Sequence, residues 1–253
     1  VSIRGGDADG SARRHPRLTE VAHADETEQD LAVPRAIAIE TSGRVGSIAI
    51  VNPDSDAPVV EELFPHGLAH AAQVLPMIDR HTRAAGWSPG DVECIYLSIG
   101  PGSFTGLRIA VTLAKMMALS RGSRIVAVPS VRVLVENAPE TANHAVIVLD
   151  AKRGQIFTAS FSRNTPGPGT GWLETAPARL DTLQRAIASS PRPVHLLGEG
   201  IAYHRESIVS NGDSTGLTDV IVTDESTWRA RASVVARLGS EMAARGEFAD
   251  PWT

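Results

Sequence analysis

Residues 98–110 read SIGPGSFTGLRIA. An apolar run ends in two glycines around a proline, then come two hydroxyls, a third glycine and an arginine on a stretch with helical spacing. Strand, glycine-rich loop and helix start leave N–H groups and the positive end of a helix dipole facing outward. Gly100, Gly102, Ser103, Thr105 and Arg108 are therefore a candidate anion site. The same residues also suit a sharp strand-to-helix turn. Gly100 and Gly102 permit it, Pro101 stiffens it, Ser103 or Thr105 caps the helix, and Gly106 lets a neighbouring backbone come close. Neither common phosphate fingerprint fits: the dinucleotide pattern fails at Thr105, and no lysine follows as in a P-loop. At this level both readings stay open.

Working outward, AIAIETSGRVGSIAIV (36–51) reads as a hairpin, and Val59 to Phe64 as a third strand. Leu68, Ala71, Ala72, Leu75 and Ile78 recur at helical spacing until Gly86, with Pro76 inside the helix. A strand at Cys94 to Ile99, a helix from Phe104 to Ser120 and a strand RIVAV complete an order β-β-β-α-β-α-β. That order is an antiparallel meander continued by crossover helices into parallel strands. After Pro129 the pattern restarts with a short helix (Val131 to Asn137) and a strand-turn-strand unit at 145–161. A loop, a helix near Leu180 to Ala188, the strand VHLLG and a helix near Gly200 follow. A last helix runs through Val234, Val235, Leu238 and Met242. Two halves that each begin with a hairpin point to internal duplication.

The expected organisation is a disordered arm over 1–33, where large apolar residues are few, a first lobe over 34–128 and a second lobe over 129–226. The C-terminal helix, about 227–246, is expected to pack back on the first lobe.

A net charge of -5 argues against a chain that grips nucleic acid by itself. The single cysteine, Cys94, lies in the apolar run VECIYLSIG, as a buried thiol would. No apolar stretch reaches the roughly 18 residues that span a bilayer, so no membrane association and a cytoplasmic location are expected.

The helix beyond the loop has one narrow polar stripe of Thr105, Arg108, Thr112 and Lys115 and is otherwise apolar or small. A helix covering one sheet needs less apolar surface than this. The preceding helix carries Val74 and Met77 beside its main stripe. His70, Val74, Leu75, Met77, Leu113, Met116 and Met117 are therefore the candidate partner interface. His66 and His70 stand at i, i+4, but no third ligand is evident nearby, and they read as surface histidines at a helix start. No metal site is expected.

AIAIETS, HAAQVLPMID, LSIGPGSFTGLRIA, VLDAKRGQIFTASF and LLGEG occur in the order and spacing of one family. From about Ala36 to its C-terminus the chain resembles the TsaB (YeaZ) family of tRNA threonylcarbamoyladenosine biosynthesis proteins. The resemblance implies the actin/hexokinase/Hsp70-like (ASKHA) α/β fold, two ribonuclease-H-like lobes with mixed sheets flanked by helices. It also implies a non-catalytic scaffold that binds the catalytic paralogue TsaD. Their complex makes the N6-threonylcarbamoyl group on adenosine 37 of ANN-reading tRNAs. The implied partners are a TsaD-like subunit, a TsaE-like ATPase in the larger complex, tRNA through the complex only, and a second copy of the chain when it is alone.

In the catalytic paralogue two histidines hold a metal just beyond the equivalent helix; Ser130 and Leu134 stand at those positions here. In ATPases of the fold an acidic residue in the first hairpin positions metal and phosphate. Glu40, followed by Thr41 and Ser42, has that place, and Asp150 in the second hairpin is its candidate partner. DAKRG and LLGEG depart from the glycine-rich phosphate turn and the adjacent Gly-Gly adenosine contact of those ATPases. The expectation is a vestigial nucleotide or anion site, no tightly bound cofactor, ATP or ADP only within the complex, and no catalysis by the chain itself. The alternative is an ATP-binding enzyme of the same fold, a sugar-kinase-like ATPase or a glycoprotease-type metallopeptidase.

Overall fold

The computed structural model describes residues 33–55, 59–64, 70–152, 155–163, 171–204 and 219–252. The arm expected over 1–33 lies outside the described residues except for Val33. Strands β1 (Ala36–Glu40), β2 (Ser47–Val51) and β3 (Val59–Leu63) are followed by helix α1 (His70–Ala84). Then come β4 (Cys94–Ser98), α2 (Phe104–Arg121), β5 (Arg124–Val128) and α3 (Ser130–Val135). The second half holds β6 (His144–Asp150), β7 (Ile156–Arg163), β8 (Trp172–Asp181), α4 (Leu183–Ala188), β9 (Val194–Leu197) and β10 (Val220–Val222). Helix α5 (Ala232–Ala244) closes the chain.

The first sheet has the order β3-β2-β1-β4-β5 and the second β10-β9-β6-β7-β8. In each, a three-stranded antiparallel meander is extended by two parallel strands. The duplication read from the hairpins is thus a duplication of topology.

Alternation along the strands builds the layers. Ile37, Ile39, Ile95 and Leu97 face one side of the first sheet, where Val74, Met77 and Ile78 of α1 and Ala110, Leu113 and Ala114 of α2 cover them. Ala36, Ala38 and Tyr96 face the other side, against Val235, Ala236 and Leu238 of α5 and Val131 and Leu134 of α3. Ala145, Ile147 and Phe161 of the second sheet join that central core. Val146, Val148 and Leu196 turn the opposite way and pack on Leu183 and Ile187 of α4. Small residues on β1 let α5 lie close across β1, β2, β4 and β5.

The structure departs from the expected elements at three places. Leu180 and Asp181 end a strand rather than begin a helix, and α4 starts only after Thr182, whose hydroxyl accepts from the Arg185 N–H. Strand β8 tolerates Pro177 because it is an edge strand and its register against β7 shifts beside that residue. On α1 the buried stripe runs through Val74, Met77 and Ile78, whereas Leu75 is 56% exposed. Val74, Met77 and Leu113, expected in a partner interface, are core residues of this chain, because they are the side chains that cover the first sheet's isoleucines. Among the described residues no helix is long and apolar enough to cross a membrane.

Candidate functional site

The loop between β4 and α2 is tied down on two sides. The Gly100 N–H donates to Ser130 Oγ at 3.0 Å, and the Ser130 N–H donates to the Gly100 carbonyl at 2.9 Å. On the other side the Ser103 N–H donates to the Ser42 carbonyl at 2.7 Å. A Cβ on Gly102 would lie 2.4 Å from that carbonyl oxygen, and one on Gly106 would lie 1.9 Å from the Thr41 carbonyl oxygen. Ser103, not Thr105, caps the helix, its hydroxyl accepting from the Gly106 N–H. Gly102 and Ser103, which could have cradled an anion, pack instead on the backbone of the β1–β2 turn, and Gly100 is paired with Ser130. Thr105 and Arg108 belong to a different place, the groove beside α1, and the Arg108 guanidinium lies over the Phe104 ring at 5.4 Å.

Glu40 is completely buried at the end of β1. Its carboxylate accepts from the Ser42 N–H at 2.6 Å, the Ser42 hydroxyl at 2.5 Å, the Ser98 hydroxyl and the Gly43 N–H. Burial pushes its pKa above the usual carboxylate value even though these hydrogen bonds act the other way. So enclosed, the carboxylate faces donors of its own turn and of Ser98. Asp150 is satisfied within its own hairpin, accepting from the Lys152 N–H at 2.9 Å and Lys152 Nζ at 3.1 Å. Partial burial raises its pKa, but Lys152 outweighs that and holds it below the ordinary value. The two acids are not joined in one site by any described contact.

At the position of the paralogue's metal, Ser130 Oγ is engaged by Gly100 and Leu134 lies in the core. That pair fits no metal, since leucine has no donor atom. Among the described residues no three His, Cys, Asp or Glu side chains converge. His66 and the side chain of His70 lie outside the described part.

One contact between the two halves was not read from the sequence. Glu199, in LLGEG, accepts the Arg44 N–H with its two oxygens at 3.1 and 3.3 Å. The Arg44 guanidinium lies 5.0 Å from the centroid of the Tyr203 ring. The acidic residue between two glycines was the available signal; its partner is main chain in the other half of the protein.

Between α1 and α2 runs an apolar groove of about 490 Å³. Val74 and Leu113 form its floor, Leu75, Ile109 and Met116 its walls, and Thr105, Arg108 and Thr112 the polar edge. Leu75 and Met116 are 56% and 60% exposed. Met117 is half-buried against the core, and Met77 does not line the groove.

Two mixed sheets that repeat one strand order, with helices between and outside them, define an ASKHA-type α/β protein. The chain belongs to the family described as TsaD, tRNA N6-adenosine threonylcarbamoyltransferase, whose model matches residues 67–203, more than half of its length. Its similarities lie with the TsaB branch. It is 29% identical over 209 residues to the tRNA threonylcarbamoyladenosine biosynthesis protein TsaB of Bacillus subtilis, covering 81% of this chain and 86% of that protein. It is 29% identical over 135 residues to the TsaB of Escherichia coli, covering 53% of this chain and 57% of that protein. In structure it matches YeaZ from Pseudomonas aeruginosa with a TM-score of 0.68 at 20% identity, over 87% of this chain and 98% of the other.

Proposed function

We propose that this chain is a non-catalytic subunit that docks a TsaD-like catalytic paralogue and supports transfer of a threonylcarbamoyl group to N6 of adenosine 37 in ANN-reading tRNAs. The observation that carries this reading is the apolar groove between α1 and α2, whose floor is core and whose walls, Leu75 and Met116, are open to solvent. Covering such a patch removes apolar surface from water at roughly 25 cal/mol per Å². Its polar edge of Thr105, Arg108 and Thr112 can set the register of a partner helix. The names printed for the TsaB relatives support the assignment to threonylcarbamoyladenosine biosynthesis. The enclosure of Glu40 supports a role without chemistry of its own.

In this reading the same groove serves a second copy of the chain when the partner is missing, so homodimer and heterodimer compete. ATP or ADP, and a TsaE-like ATPase, act within the complex and not on this chain alone. The net charge of -5 fits a subunit that meets tRNA only through its partner, in the cytoplasm.

The test is reconstitution from purified components: this chain, a TsaD-like subunit, a TsaE-like ATPase, an activated threonylcarbamoyl donor and an ANN-reading tRNA. Modified adenosine is expected only when this chain accompanies the catalytic subunit, and no nucleotide turnover is expected from the chain alone. Equal modification without it, or ATP hydrolysis by it alone, overturns the proposal.

A further inference from the structure

Ser42, Gly43 and Arg44 are three successive residues of the β1–β2 turn, and all three main-chain N–H groups point at carboxylates. The first two serve Glu40 from within the same hairpin. The third serves both oxygens of Glu199, 155 residues away in sequence. Successive N–H groups in a turn form a concavity that binds anions. In this protein its occupants are the chain's own side chains.

The Glu199 carboxylate is delivered by a rigid segment. The Gly200 N–H donates to the Val148 carbonyl at 3.0 Å. A Cβ on Gly198 would lie 2.4 Å from that same oxygen, and one on Gly200 would lie 2.8 Å from the Leu149 carbonyl carbon. Glu199 is therefore flanked by two residues pressed flat on the end of β6. From the other side Arg44 reaches over Tyr203, on the same segment. Arg44 and Arg229 supply positive potential, while burial raises the pKa of Glu199 and disfavours its charge. For a half-buried carboxylate the N–H that holds it is a charge-assisted hydrogen bond, stronger than a neutral one.

We propose that the Ser42–Arg44 turn is an oxyanion seat with two built-in occupants, Glu40 and Glu199, and that Glu199, on the Arg44 N–H, clasps the two halves of the chain together and keeps phosphate-bearing ligands off that end of the turn. This stands on the geometry of the turn and does not depend on the docking reading.

The experiment compares the full-length wild type with Glu199→Ala and Glu199→Gln, using inorganic pyrophosphate as probe. Pyrophosphate affinity is measured by calorimetry and exchange of the Arg44 amide proton by NMR. Losing a hydrogen bond to a charged acceptor predicts Arg44 amide exchange roughly tenfold faster in Glu199→Ala. The Arg44 N–H, freed of its carboxylate and of that carboxylate's negative charge, is likewise expected to let the turn bind pyrophosphate about tenfold more tightly than wild type. Glu199→Gln, which keeps an acceptor oxygen but no charge, falls between them and carries the same test should the alanine variant not fold. Equal pyrophosphate affinity in wild type and variants overturns the proposal, as does an Arg44 exchange rate that neither substitution changes.

Discussion

Gly106 and Thr41 are locked together: the Thr41 hydroxyl donates to the Gly106 carbonyl at 2.9 Å, and a Cβ on Gly106 would come 1.9 Å from the Thr41 carbonyl oxygen. The hydroxyl bond and the main-chain close approach together join the first turn of α2 to the end of β1. Neither can move without displacing its element. Gly106→Ala is therefore expected to lower unfolding free energy by about 3 kcal/mol. Chemical denaturation reads this directly, and a change within error would mean that α2 slides freely on the sheet.

The cage around Glu40 gives a second expectation. Glu40→Ala leaves the Ser42 and Ser98 hydroxyls and two turn N–H groups without their common acceptor. The loss should again be about 3 kcal/mol. A variant that melts like wild type would show that Glu40 is open to water and available to a ligand after all.

The buried His195 predicts a pH dependence. Burial lowers its pKa from the ordinary histidine value, reinforced by Arg163 and opposed by a main-chain hydrogen bond with His144. The folded state therefore favours the neutral ring. Above about pH 6.5 the ring is neutral in both states and stability is unaffected. As pH falls below that value the unfolded chain binds a proton that the folded chain refuses, so stability drops. His195→Leu should flatten the decline between about pH 6.5 and 5. An identical slope in wild type and variant would remove His195 from the account.

Much of the fold was legible because its strands are β-branched runs. AIAIE, SIAIV, CIYLS and HAVIVLD read as strands since both sheet faces are buried. WLETAPARLD did not, because an edge strand with one open face carries polar residues and Pro177. The excess apolar surface of α1 and α2 was also legible, but not which residues it left open. Counting the α1 stripe from Leu68 placed Leu75 inside and Val74 and Met77 outside. In the folded helix, which begins at His70, the sheet-facing row is Val74, Met77 and Ile78. The close approach at Gly106 and a hydroxyl cap followed from residue type, but the choice of Ser103 over Thr105 needed the folded geometry. The seat of Glu199 did not, since its partner is a main-chain N–H that only the folded topology brings near.

The central claim is that the α1–α2 groove is the docking face for a TsaD-like subunit, and calorimetric titration of that subunit into Leu75→Asp and Met116→Asp tests it most directly. Both positions are mostly exposed in the chain alone, so each variant should melt with wild type. Burying an unpaired carboxylate in the complex should weaken binding by roughly 3 kcal/mol, about a hundredfold in Kd. Met117 is unsuited to this test, because it packs on the core and its replacement would alter the fold as well. Wild-type affinity in both folded variants would contradict the account and move the docking face elsewhere on the molecule.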